Sequence, residues 1–107
     1  MEMGLGKVVS KHKKVDVIVT AARYASKGDR LMQARGYRRM GEVWSDLLLF
    51  DRKLLVEMLQ EGKRIAAGRR NETPGDFVVL KRIVKANGRL ATQGSTGKGD
   101  DLGVPIF

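Results

Sequence analysis

The side chains with the most chemical potential in this 107-residue chain are three of its aromatic rings, Tyr24, Tyr37 and Trp44, because arginines stand near them. Tyr24 follows Arg23. Tyr37 sits between Arg35 and the pair Arg38 and Arg39, in "ARGYRRMG". Trp44, the lone tryptophan, comes shortly after. A ring offers a flat π surface on which a nucleobase stacks, and a nearby guanidinium offers paired donors to phosphate. Together they provide the chemistry of single-strand recognition, in which each stacked base contributes ~1–3 kcal/mol. Lys63 and Arg64 before "IAAG", with Arg69 and Arg70 after it, either line a groove or protect an edge strand from aggregation. Quieter readings stand beside these. A lone tryptophan in a small protein is also a natural core anchor, Tyr24 and Tyr37 also suit packing at a strand edge, and "GYRRMG" also reads as a solvated basic turn.

Charge points the same way as the rings. Lys and Arg number 21 against 12 Asp and Glu, a net charge of +9. A field of that sign favours a polyanion, since neutralising phosphates releases condensed counterions. Lys7, Lys11, Lys13 and Lys14 give residues 1–14 the character of a basic arm.

Other chemistries find little to work with. There is no cysteine, so a disulfide framework and a thiolate metal site are both excluded. The single histidine, His12, lies in a lysine run. Glu42, Asp46, Asp51 and Glu57 are close in sequence, but Asp51 is better used as a helix cap and no paired spacing nominates a metal nuclease. "GSTGKGDD" imitates a phosphate-binding loop without the hydroxyl residue after its lysine, a strand before it or room for a helix after it. "NET" at 71–73 is a glycosylation signal only in a secreted protein. The expectation is a protein that is not an enzyme and uses no cofactor or metal. With no apolar run long enough to span a bilayer and no signal-like N-terminus, a cytoplasmic location and no membrane partner are expected.

The elements that must carry these residues follow from periodicity. "VDVIVTAARY" is β-branched, with Val15, Val17, Val19 and Ala21 on one face at period two. "RLMQARGYRRM" balances helix-forming residues against flanking glycines and reads as a second strand. "GEVWSDLLLF" suits a third strand, buried on both faces at its far end, with Phe50 in the core. Asp51 caps a helix over 51–61, which turns Leu54, Leu55, Met58 and Leu59 to one face and ends at Gly62. "KRIAAGRR" and "DFVVLKRIVK" supply two more strands, with Phe77 in the core. The order strand, strand, strand, helix, strand, strand predicts an all-β fold, a five-stranded Greek-key barrel of the oligonucleotide/oligosaccharide-binding (OB) type, over residues 15–90. Residues 91–107, rich in glycine, are expected to form a flexible tail. A chain this short leaves self-association as an expected source of stability.

The stretch "VWSDLLLFDRKLLVEMLQEGKRIAAGRR", residues 43–70, resembles the central segment of bacterial and phage single-stranded DNA-binding proteins. In that family a tryptophan opens the third strand, a phenylalanine closes it, and a helix and a fourth strand follow. The resemblance implies that Trp44 is a stacking residue. It also implies sequence-tolerant binding of single-stranded DNA in replication, recombination or repair. RNA, a duplex partner and a simple adaptor role remain open.

The chain closes in "DDLGVPIF". The same family ends in an acidic tip with Pro and Phe that recruits replication and repair enzymes, and Asp100, Asp101, Pro105 and Phe107 match that plan. A sliding-clamp peptide is a competing match. Two carboxylates and the anchors Ile106 and Phe107 also suit a basic partner pocket on physical grounds. The other reading is a last strand docked on the protein itself.

Overall fold

Turn chemistry divides the chain more finely than periodicity predicts. The computed structural model describes residues 15–25, 30–71, 77–97 and 99–107. Within these lie seven strands and one helix: β1 (Val17–Tyr24), β2 (Leu31–Met40), β3 (Val43–Trp44), β4 (Leu48–Asp51), α1 (Arg52–Gln60), β5 (Ile65–Arg70), β6 (Phe77–Ala86) and β7 (Arg89–Thr92). The basic arm at 1–14 lies outside the described residues.

The sheet runs β3-β2-β1-β5-β6-β7, with β4 pairing along another part of β2. Neighbours are antiparallel except β1 and β5, which are parallel. The sheet is strongly curled into a half-barrel, so the fold is all-β-like with one helix. The expected five strands become seven for local reasons. Gly41, at φ 68°, turns β2 back into β3, so Trp44 and Phe50 lie on separate short strands instead of one. Asn87 and Gly88, at φ 53° and 77°, turn β6 into β7, across the expected start of the tail.

Residues 31–40 are strand, and glycine explains how β2 fits. A Cβ at Gly36 would lie 2.2 Å from the Ile18 carbonyl oxygen, so only glycine lets β1 and β2 approach this closely. In β1 the register shifts between Val19 and Ala21. The extra residue moves the inward position from Ala21 to Ala22, which joins Val17 and Val19 in the core, while Val15 packs elsewhere.

The main core fills the concave side of the sheet. Val17, Val19, Leu31, Phe50, Ile65, Ile83 and Leu90 meet Leu55 and Met58 of α1 there. Asp51 caps the helix as expected, its Oδ1 accepting from the Leu54 amide at 2.7 Å, and Gly62 at φ 88° follows its end. Val56 and Leu59 pack at the margin of the core, whereas Leu54 points outward. Likewise only Phe50 of the "LLLF" run is buried. Leu47, Leu48 and Leu49 are exposed, because β4 is short and pairs with β2 alone.

The last residues correct the expectation of a free tail. Residues 99–107 are docked on the sheet. The Asp101 amide donates to the Leu90 carbonyl at 2.8 Å, and the Thr92 amide returns a bond to the Asp101 carbonyl at 3.0 Å. Further on, the Ala22 amide donates to Pro105 at 2.9 Å and the Phe107 amide to Ala22 at 3.1 Å. Leu102 is fully buried in the main core. This segment therefore spans from β7 to the free half of β1, where β5 no longer pairs. Glycine-rich composition favours flexibility, but Leu102 and Asp100 supply enough buried contact to order it.

Candidate nucleic-acid interface

Strand alternation turns a second set of side chains to the outer face of the sheet. On β2 these are Arg35, Tyr37 and Arg39. Tyr37 pairs across β1 with Ile18, and Phe77 pairs with Arg70 at the far end of β5. Ile18, Tyr37 and Phe77 form a small buried cluster of their own, against which Val15, Val79 and Trp44 pack. Gly68 keeps its floor open: a Cβ there would lie 2.8 Å from Ile18 Cγ2 and 2.7 Å from the Val78 carbonyl oxygen.

The three rings stand in contact. Tyr37 and Phe77 have centroids 5.0 Å apart at 51°, and Trp44 meets Phe77 at 5.2 Å and 66°, close to edge-on. This tilted geometry suits the quadrupoles of the rings. Tyr37 and Phe77 are buried, while Trp44 is half-exposed and is the ring that solvent reaches. Guanidiniums rim the group. That of Arg39 lies 5.0 Å from the Trp44 ring, and that of Arg70 lies 5.3 Å from Tyr37 and 5.9 Å from Phe77. Arg70 also donates to the Tyr37 hydroxyl at 3.2 Å, and Arg39 donates to the Val15 carbonyl at 3.1 Å and the Gly41 carbonyl at 3.3 Å. Both cations are thus held in place against π surfaces.

Beside the rings runs a groove of about 460 Å³, walled by Tyr37, Trp44, Phe77 and Arg70 and by the stretch that carries Glu42, Ser45, Asp46 and Leu47. Ser45 fixes that wall. Its hydroxyl accepts from the Arg38 amide at 3.0 Å and donates to the Asp46 carbonyl at 2.8 Å, while its own amide donates to the Arg38 carbonyl at 2.8 Å.

A second aromatic–arginine group lies further along the outer face. Phe107 is held between two guanidiniums, Arg35 at 4.0 Å and Arg23 at 4.7 Å from its centroid, and Arg23 Nε donates to the Phe107 carbonyl at 3.2 Å. Four of the arginines singled out by sequence, Arg23, Arg35 and Arg39 from β1 and β2 and Arg70 from β5, therefore share this face with Tyr37 and Trp44.

The remaining candidates go elsewhere. Arg38 is exposed, and alternation points it away from Tyr37. Lys63 and Arg64 stand at the start of β5 and Arg69 and Arg70 at its end, so the strand separates the two pairs and only Arg70 reaches the rings. Arg64 is anchored through its amide, which donates to Asp16 Oδ2 at 2.7 Å. Tyr24 faces the main core, where its hydroxyl accepts from the Leu102 amide at 2.9 Å. Burial pushes its phenol up, the nearby Asp101 and Asp100 add to this, and the Leu102 amide opposes it.

The tip residues are also accounted for. Asp100 is buried and accepts from the Leu31 amide at 2.7 Å, the Leu90 amide at 2.8 Å and Arg52 Nε at 2.8 Å. Burial alone would push its carboxyl up, but the Arg52 guanidinium and the two amides outweigh it and hold the group below its ordinary value. Asp101 is exposed and accepts from the Gly103 amide at 3.0 Å, Pro105 bonds Ala22, and Ile106 projects into solvent. Asp100 is thus a structural clamp instead of bait.

Phe77 and Arg52 were missed by sequence reasoning as members of these sites. Phe77 opens an apolar run and reads as core. Its one local signal is its closeness in sequence to Arg69 and Arg70. Among the described residues no three His, Cys, Asp or Glu side chains group to hold a metal ion, and no helix is long and apolar enough to cross a membrane. Comparison with family models, curated proteins and solved structures finds no match to this chain.

Proposed function

We propose that this protein binds single-stranded nucleic acid, DNA before RNA, with tolerance of sequence, in replication, recombination or repair. The observation that carries the reading is the half-exposed Trp44, backed by Phe77 and Tyr37 and rimmed by Arg39 and Arg70 on the outer face of a curled sheet. A base stacks on the open surface of Trp44 while the guanidiniums take the flanking phosphates. The net charge of +9 supplies the long-range attraction. An OB-type description of the half-barrel belongs to the same proposal, as does the resemblance of residues 43–70 to single-stranded DNA-binding proteins. Recruitment of a partner by a free tip is not favoured, because Asp100 and Leu102 are buried and Phe107 is held by two arginines. Met40, Val43, Leu47 and Leu49, exposed around β3 and β4, support self-association.

Competition tests the reading. A labelled single strand bound by the protein should be displaced by unlabelled single strands at far lower concentration than by duplex of the same sequence. Equal displacement by duplex would assign the arginines to a double helix instead.

A further inference from the structure

We propose that the groove beside Trp44 is a base-selective subsite whose preferred occupant is guanine; this rests on the single-strand reading above. The lining of the groove is of two chemical kinds. Trp44 and Phe77 supply ring surface and Arg70 a cation. Glu42 and Asp46 supply carboxylates, and among the described residues no hydrogen bond or ion pair engages either.

Two ionised carboxylates are acceptors only. In a chain that is otherwise so basic, they exclude phosphate from their part of the groove and call for N–H donors there. Arg70 is where the phosphate goes. The occupant is therefore flat, anionic at one end and donor-rich at the other, which describes a nucleotide entering base first. The bases differ sharply at the edge they would present. Guanine has adjacent N1–H and N2–H donors that match the two oxygens of one carboxylate. Thymine and uracil have a single N–H between two carbonyls. Adenine and cytosine have an amino group beside a bare ring nitrogen, whose lone pair faces the carboxylate. A bidentate pair of this kind discriminates against the wrong base, and single strands are read on this edge once a base is unstacked.

The other ligand that suits rings and carboxylates is an alkylammonium. Here the ring surfaces already carry guanidiniums, Arg39 at 5.0 Å from Trp44 and Arg70 at 5.3 Å from Tyr37. A further cation would meet their charge, so a base is favoured over a modified lysine.

The experiment titrates Trp44 fluorescence with a short oligo(dT) and with the same oligomer carrying one central dG, dA or dC. For the native protein the dG oligomer should bind about tenfold tighter than oligo(dT), a typical gain for one well-matched base edge. The E42Q/D46N double variant, checked for its native circular dichroism, should bring that ratio to about one. Equal affinity for all four oligomers, or an equal gain from any purine, overturns the guanine subsite while leaving single-strand binding intact. Absence of binding to every oligomer, by contrast, would bring down the single-strand reading itself. Quenching by a trimethyllysine peptide and by none of the oligomers would assign the groove to the alkylammonium.

Discussion

Trp44 does two jobs at once: its ring packs close to edge-on with Phe77, and part of it meets solvent. Only the second is needed for binding, so Trp44→Ala should keep the fold and weaken single-strand affinity by roughly 10- to 100-fold, the loss of one stacked base. Anisotropy of a labelled oligonucleotide measures this, and circular dichroism monitors folding. Arg70→Ala removes both a phosphate contact and the donor to the Tyr37 hydroxyl. It should lower affinity at every sequence alike and make the salt slope shallower by about one contact. The residue types were legible in the sequence: arginine beside tyrosine in "GYRRMG", and a single tryptophan nearby. The separation of Arg39 from Arg38, and of Arg70 from Lys63, needed only strand alternation and strand length. The role of Phe77 was not legible, because its ring reaches Trp44 and Tyr37 through the pairing of β5 with β6 and not through any local pattern.

Among the elements, the docked segment 99–107 has the most consequence for stability. Asp100 ties it to β2, β7 and α1 together through Leu31, Leu90 and Arg52. Asp100→Asn weakens charge-assisted bonds and deprives Arg52 of its carboxylate, a loss of about 1.5–3 kcal/mol. Because the folded carboxyl is held below its ordinary value, the unfolded chain takes up the proton first. The stabilisation is therefore present at neutral pH and is lost as pH falls below 3.8 and through the lower folded value. Thermal unfolding should show the gap between the native protein and Asp100→Asn closing as the solution is acidified from pH 7; a gap that stays constant would deny the clamp its charge. In β2, Gly36→Ala would force a Cβ into the Ile18 carbonyl and should prevent normal pairing with β1, visible as loss of strand signal. The helix, its Asp51 cap and β1 were legible because their determinants are local. The docked segment was not: Asp100 finds Leu31 across 69 positions of sequence, and no local composition encodes that.

At the scale of the whole molecule, charge distribution decides how the strand is drawn in. Arg23, Arg35, Arg39 and Arg70 mark the outer face of the sheet, and Glu42 and Asp46 line the groove beside Trp44. Three to four phosphate contacts give a single-strand salt slope of about −2 to −3, so affinity should drop roughly 20- to 50-fold between about 50 and 200 mM salt. The most direct measurement uses the lone tryptophan as its own reporter: fluorescence of the native protein titrated with a mixed-sequence single-stranded oligonucleotide at those two salt concentrations. Saturable quenching at low salt, displaced to higher oligonucleotide concentration at high salt, is the expected result. Unchanged Trp44 emission, or quenching indifferent to salt, would contradict binding through this face.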